Sequence, residues 1–172
     1  MRHTPFSVVR SIACALLLAA LHAACAVTPA APHVYVVRHA EKMSGDDPAL
    51  SEMGIARAEA LANLLAERNI TRIFSTDTHR TRGTAAPLAA RLGIQTEIYD
   101  HRAPEQLAAR IRESGETVLV VGHSNTIAGI AATFGVDAGS AVEEDEYDRL
   151  YVIRLAPSEV HGEIRWYPEA KR

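Results

Sequence analysis

From residue 33 onward the chain alternates short, β-branched apolar runs with longer segments whose apolar residues recur at helical spacing. This alternation is typical of strands joined by crossover helices, so it predicts an α/β fold with a mostly parallel central sheet. A parallel sheet must be covered on both faces. We therefore expect a three-layer sandwich, with helices on both sides of the sheet.

Four apolar runs are predicted to be the parallel strands, and the last of them is apolar enough to be a fully buried central strand. They span residues 33–38, 71–76, 94–100 and 117–123. Two later runs, 149–156 and 163–168, flank a loop that contains Gly162. They predict an antiparallel hairpin at the edge of the sheet, near the C-terminus.

Four helices are predicted between the strands, at 50–69, 78–93, 104–115 and 125–135. In the first, Ser51 is placed to cap the start. Its sheet-facing residues are predicted from their helical spacing to be Ile55, Ala58, Leu61, Ala62 and Leu65. In the second, Pro87 predicts a kink or a late start, and Gly93 predicts the end. The acidic stretch 143–148 is predicted to be a solvated loop.

The first 26 residues have the layout of a secretory signal peptide. Arg2 and Arg10 precede an apolar run at 12–21, and small residues follow at 22–26. The apolar run is shorter than the roughly 20 residues that a permanent membrane helix needs, so an uncleaved anchor is the less favoured alternative. We therefore expect the chain to consist of a leader at 1–26, a short tether at 27–32 and a folded domain at 33–172. Such a protein would be periplasmic or secreted.

The end of the leader has two readings. Ala24-Cys25-Ala26 fits ordinary cleavage before Val27. The stretch LHAAC also resembles a bacterial lipoprotein signal, in which Cys25 would be lipidated and would anchor the protein to a membrane. The sequence leaves both readings open.

Charge and cysteine content narrow the class of protein further. Both cysteines lie in the leader, so the folded domain has none with which to form a disulfide. The leader holds two of the 18 basic residues and none of the 21 acidic residues, which leaves a net charge of −5 on the rest of the chain. This charge argues against a nucleic-acid partner.

Polar residues that can do chemistry follow each predicted parallel strand. They are Arg38, His39 and Glu41 after the first strand, Thr76 and Arg80 after the second, Asp100 after the third, and His123, Ser124 and Asn125 after the fourth. Ligands of open α/β sheets bind at the carboxyl ends of the strands, so we expect these side chains to meet in one cleft.

This set of side chains suits a phosphoryl group. Arginine guanidinium groups match phosphate oxygens two at a time, and a neutral imidazole can attack phosphorus and become phosphorylated. A carboxyl group must then protonate the leaving oxygen, and Asp100 and Glu41 are both candidates for that role. Asn125 is placed either to bond the phosphate or to cap the helix that follows. The histidines at 39, 79, 101 and 123 lack close metal-ligand spacing, so no metal or other cofactor is expected.

Four stretches in order resemble the histidine phosphatase superfamily, the phosphoglycerate mutase-like proteins. They are VVRHAEK after the first strand, DPALSEMGIARAEALA at 47–62, FSTDTHRTRGTAAPLA at 74–89, and the later VVGHSNT. Together they cover most of residues 33–135.

The resemblance implies a role for each of the matching residues. His39 is similar to the phosphorylated nucleophile, and Arg38, Arg80 and His123 are similar to the rest of the phosphate pocket. The proton donor of many members lies at the position of Asp100, which favours Asp100 over Glu41. The implied function is an exported, metal-independent phosphatase that hydrolyses a small phosphomonoester. The alternatives are a non-catalytic phosphate- or polyanion-binding module and a phosphoglycerate mutase-type phosphotransferase.

Overall fold

The computed structural model describes residues 30–156 and 159–167. The predicted leader at 1–26 lies outside the described residues, as do the first three residues of the predicted tether. Within the described ranges, no helix is both long enough and apolar enough to span a membrane.

The described residues form a single six-stranded sheet. Its strands are β1 (His33–Arg38), β2 (Arg72–Ser75), β3 (Thr96–Ile98), β4 (Val118–Gly122), β5 (Arg149–Leu155) and β6 (Val160–Trp166). They lie in the order β3-β2-β4-β1-β5-β6. Strands β1 to β4 are parallel, whereas β5 runs antiparallel to β1, and β6 antiparallel to β5. The predicted mostly parallel sheet with an antiparallel edge hairpin is confirmed.

Helices cover both faces of this sheet. They are α1 (Glu52–Leu65), α2 (His79–Leu92), α3 (Pro104–Ser114) and α4 (Ile127–Thr133). Alternate residues of β1 point to opposite faces, as they must in a strand. Val34 and Val36 join the core formed with α3 and α4, and Tyr35 and Val37 join the core formed with α1 and α2. The three-layer arrangement follows from this alternation and is confirmed.

The start of α1 fits the sequence prediction, but one residue of its buried face does not. Ser51 caps the helix and accepts a hydrogen bond from the Gly54 N–H at 3.2 Å. Ile55, predicted to face the sheet, is 55% exposed, so that prediction is wrong. Gly54 is buried in its place. A Cβ at Gly54 would lie 2.0 Å from the Glu41 carbonyl oxygen, so only glycine lets the helix approach this closely.

Of the two alternatives that Pro87 predicts for α2, a kink or a late start, the late start is wrong. The helix begins at His79, directly after its N-cap Thr78, and continues through Pro87. Pro87 removes a backbone N–H donor, but the buried residues Ala85 and Leu88 on either side keep this segment packed on the sheet. Gly93 ends the helix in the left-handed conformation, with φ at 67°, as the sequence predicted.

Gly162 lies inside β6 rather than in the hairpin loop where the sequence placed it. It pairs with Ile153 of β5, and β6 begins at Val160 instead of residue 163. A Cβ at Gly162 would lie 2.3 Å from Val136 Cγ1. This glycine therefore makes room for Val136 and does not mark a turn.

Candidate active site

The ends of β1 and β4 bring two histidines together. Arg38 pairs with Gly122 in the parallel register, so His39 and His123 follow at neighbouring strand ends. The His39 N–H donates to the Gly122 carbonyl at 2.9 Å. A Cβ at Gly122 would lie 2.8 Å from Thr126 Oγ1, so a side chain has no room there. The two imidazole rings lie edge to face, with their centroids 5.4 Å apart.

The hydrogen bonds of His39 fix which nitrogen carries its proton. Nδ1 lies 2.8 Å from the Ala40 carbonyl oxygen. A carbonyl can only accept, so neutral His39 must carry its proton on Nδ1, and its Nε2 keeps a free lone pair. The Ala40 N–H donates to Thr84 Oγ1 of α2 at 2.9 Å, which ties this backbone to the helix.

Both histidines are neutral at physiological pH. Burial lowers the pKa of His39 to about 4, and the charges of Arg38 and Arg80 lower it as well. Burial likewise lowers the pKa of His123 to about 4, with the charge of Arg80 as the next cause. A neutral imidazole offers the lone pair that a nucleophile needs.

His123 is held in place by a group of threonines. Thr76, at the end of β2, places its hydroxyl oxygen 2.9 Å from His123 Nε2. The same hydroxyl lies 3.0 Å from Thr81 Oγ1 in α2, and the Thr81 hydroxyl donates to the Thr76 carbonyl at 2.9 Å. These contacts orient the His123 ring from β2 and α2.

Two arginines flank the histidine pair. Arg38 is 2% exposed, and its NH1 donates to backbone carbonyls of the acidic stretch. Arg80, in the first turn of α2, donates to Asp47 Oδ1 at 3.2 Å. The Nε atoms of Arg38 and Arg80 are both buried and have no hydrogen-bond partner among the described residues.

The two candidate proton donors have different surroundings. Both Asp100 oxygens accept hydrogen bonds from the Arg102 guanidinium, at 3.0 and 3.1 Å, and these bonds lower the Asp100 pKa to about 2. Glu41 accepts from Arg57 at 2.7 and 2.9 Å. Burial is the largest single influence and would raise the pKa of Glu41, but the hydrogen bonds from Arg57, a backbone hydrogen bond and the charges of Arg57 and Arg38 together hold this pKa below its ordinary value. Both carboxyl groups are therefore ionised at neutral pH.

A cleft of about 860 Å³ collects eight of the nine residues that the sequence predicts to meet in one place. They are Arg38, His39, Thr76, Arg80, Asp100, His123, Ser124 and Asn125. Glu41 does not line this cleft, because its side chain turns toward Arg57. The N-cap of α4 is Thr126, so Asn125 lies one residue before the cap and does not cap the helix.

Sequence reasoning missed several residues that shape the site. Thr84 accepts a hydrogen bond from the Ala40 N–H, and Asp47 accepts one from the Arg80 guanidinium. The acidic stretch is more than the solvated loop that was predicted, since its carbonyls bind Arg38 and Tyr147 packs against that side chain. The hydrogen bonds among these contacts span 33 to 108 positions of sequence, so no local pattern could have indicated them.

The described residues include no group of three or more His, Cys, Asp or Glu side chains arranged to hold a metal ion. The cleft places the buried guanidinium of Arg38 and the partly buried guanidinium of Arg80 beside two neutral imidazoles, an arrangement that suits an anion.

Comparison with known proteins supports the resemblance to the histidine phosphatase superfamily. Residues 34–101 match the family described as the histidine phosphatase superfamily, branch 1. Uncharacterized protein Rv0525 of Mycobacterium tuberculosis is 38% identical over 79 residues, which are 40% of this chain and 39% of that protein. The match thus spans about two fifths of the length of this relative. The resemblance to the superfamily seen in the sequence is confirmed.

Solved structures show the same fold at low sequence identity. The mycobacterial glucosyl-3-phosphoglycerate phosphatase Rv2419c, also solved with inorganic phosphate, has a TM-score of 0.64 at 16% identity, over 81% of this chain and 100% of that chain. A protein of Agrobacterium tumefaciens assigned as phosphohistidine phosphatase SixA has a TM-score of 0.58 at 24% identity, over 73% and 99% of the two chains.

Proposed function

We propose that this chain hydrolyses phosphomonoesters through a phosphohistidine intermediate on His39, without a metal ion. The observation that carries the proposal is the neutral His39–His123 pair, with ring centroids 5.4 Å apart, flanked by Arg38 and Arg80. Each arginine keeps a buried Nε donor that has no partner among the described residues. Donors of this kind suit the oxygens of an anionic ligand. The phosphatase names of the structural relatives support the same class of reaction.

In the first step, His39 Nε2 attacks phosphorus and the bond from phosphorus to the ester oxygen breaks. Nδ1 keeps its proton and its contact with the Ala40 carbonyl, so the ring stays oriented during the attack. Arg38, Arg80 and His123 donate to the phosphoryl oxygens and stabilise the charge that develops on them.

Asp100 carries the proton in this scheme. It protonates the leaving oxygen in the first step, and in the second step it takes a proton from the water that displaces His39 from phosphorus. Because Arg102 holds Asp100 as a carboxylate in the free protein, Asp100 must first take up a proton, which a phosphomonoester monoanion can bring. The negative phosphoryl group beside it then favours the protonated carboxyl.

The experiment is hydrolysis of an aryl phosphate by the wild type, His39→Ala and His161→Ala, each with and without a chelator. Loss of the nucleophile should lower kcat by a thousandfold or more. His161 lies exposed in β6 and serves as the control, which should keep the wild-type rate. Chelator should leave the wild-type rate unchanged. A His39→Ala variant that keeps a tenth of the rate would exclude the proposed nucleophile, and phosphate binding without turnover would favour the binding-module alternative.

A further inference from the structure

The segment 143–147, here called the strap, holds one end of the Arg38 side chain. Arg38 NH1 donates to the carbonyls of Glu143, Glu144 and Glu146, at 2.8, 2.9 and 3.0 Å. These three acceptors occupy NH1. The edge of the guanidinium formed by Nε and NH2 remains available, and through this edge an arginine can bind two oxygens of a phosphate.

The free edge of Arg38 has few competitors. Its Nε has no partner among the described residues. Its NH2 lies 3.5 Å from a carboxylate oxygen of Glu144, whose side chain is 92% exposed. At that distance and exposure the contact is weak, so a phosphoryl group can displace it.

Tyr147 covers the flat face of the same guanidinium. The Arg38 Cζ atom lies 4.1 Å from the centroid of the Tyr147 ring, well within the range of a cation–π contact. The ring centroid of Tyr147 is also 6.1 Å from that of His39. Tyr147 therefore packs beside both Arg38 and the proposed nucleophile His39.

The strap is fixed by a second arginine that does not touch the cleft. Arg149, at the start of β5, is 5% exposed. It donates to the Ser140 carbonyl at 2.6 Å and to both carboxylate oxygens of Glu146, at 2.6 and 2.9 Å. These bonds anchor the strap to β5, the neighbour of β1, independently of Arg38.

We propose that Tyr147 is a positioning residue for the phosphate site, because it holds the Arg38 guanidinium so that its Nε–NH2 edge faces the ligand. The inference rests on the proposed function only in that the cleft must bind a phosphoryl group. Stacking fixes the plane of the guanidinium, and the strap carbonyls fix its rotation within that plane. Together they remove the freedom that a long side chain would otherwise lose on binding.

The test is a double-mutant cycle on inorganic phosphate binding, measured by calorimetry on the full chain. Tyr147→Ala should weaken phosphate binding roughly tenfold, whereas Tyr147→Phe, which keeps the aromatic face, should stay within about twofold of the wild type. In an Arg38→Ala background, the Tyr147→Ala change should have no further effect. Thermal unfolding of each variant reports whether it folds, and Tyr147→Leu replaces the alanine variant if that one does not.

The outcomes separate this inference from the proposed function. If the wild type binds no phosphate, the proposed function fails, and this inference fails with it. If the wild type binds phosphate but Tyr147→Ala or Tyr147→Leu binds equally well, only the positioning role is overturned. The positioning role is also overturned if Tyr147→Phe binds phosphate as weakly as Tyr147→Ala. It is likewise overturned if Tyr147→Ala weakens phosphate binding as much in the Arg38→Ala background as in the wild type.

Discussion

Each arginine of the cleft is already engaged by an acidic partner or a carbonyl. Arg102 binds Asp100, Arg80 binds Asp47, and Arg38 binds the strap. The Arg80 contact is a single bond at 3.2 Å to a partly exposed carboxylate, so a phosphoryl group can replace it at small cost. The side chains of the cleft are thus held in place in the free protein, while the donors proposed to bind phosphate remain within reach.

The assignment of the proton donor makes a prediction about leaving groups. Asp100→Asn should slow hydrolysis of alkyl phosphates, whose leaving oxygens need a proton, far more than that of aryl phosphates, which leave readily without one. Steady-state kcat/KM with a matched alkyl and aryl pair measures this ratio. Glu41→Gln is the companion variant, because Glu41 faces Arg57 outside the cleft. An equal effect of Asp100→Asn on both substrates, with a selective effect of Glu41→Gln, would transfer the role to Glu41.

The lowered pKa of His39 predicts how stability depends on pH. Above pH 6.5 the imidazole is neutral in both the folded and the unfolded chain, so its contribution does not change. As the pH falls from about 6.5 to about 4, only the unfolded chain takes up the proton, and stability declines. The decline from His39 should reach roughly 3 kcal/mol, at about 1.4 kcal/mol per pKa unit.

NMR titration of the His39 ring and urea unfolding at several pH values measure these two quantities. The ring should titrate near pH 4, and His39→Gln should show a smaller loss of stability between pH 6.5 and 4 than the wild type. A midpoint near 6.5 would mean that burial and the neighbouring guanidinium groups do not act on this imidazole as described.

The residues at the strand ends could be predicted from the sequence, but their supporting contacts could not. Arg38, His39 and His123 follow apolar runs directly, and the carboxyl ends of parallel strands meet at one edge. Tyr147 contacts Arg38 only because β5 pairs with β1, and that pairing brings distant segments together. Its sequence context, an acidic loop, is typical of solvent exposure and gives no sign of the contact.

At the scale of elements, α1 packs closely against the segment after β1. Gly54 lies against the Glu41 carbonyl, where an added Cβ would come within 2.0 Å of the oxygen. Gly54→Ala should therefore lower the free energy of unfolding by at least about 2 kcal/mol. The matched control is Gly129→Ala in α4, where a Cβ meets nothing within 4 Å, and it should raise stability by about 0.5–1 kcal/mol. Urea unfolding of both variants gives the comparison, and equal effects would contradict the packing described.

The existence and order of the elements were predictable, and their ends were less so. Nearly continuous apolar runs identify β1, β2 and β4, because both faces of the sheet are buried at these strands. The outer strands β3 and β6 are more exposed, so their ends are harder to predict. The sequence predicts a turn at Gly162, but glycine also allows close packing between elements. It predicts burial of Ile55, but helical spacing equally allows Gly54 to take the buried position. Both errors concern contacts with distant segments, to Val136 and to Glu41.

At the scale of the whole molecule, we propose that the chain is exported and that its leader is removed. The proposal rests on the first 26 residues, in which Arg2 and Arg10 precede an apolar run at 12–21 and small residues follow at 22–26. Intact mass of the protein expressed in a bacterial host should give a chain that begins at Val27, or at a lipid-modified Cys25. Cys25→Ala should move the protein out of the membrane fraction only in the lipidated case. A cytosolic chain that retains Met1 would contradict export.

The most direct test of the whole account is to trap the intermediate. Wild-type protein is mixed with phosphate-labelled aryl ester, quenched within one turnover and digested under alkaline conditions. The account predicts an acid-labile label on the peptide that contains His39, and none in His39→Ala. Label on another residue, or no covalent label at any time during turnover, would contradict it.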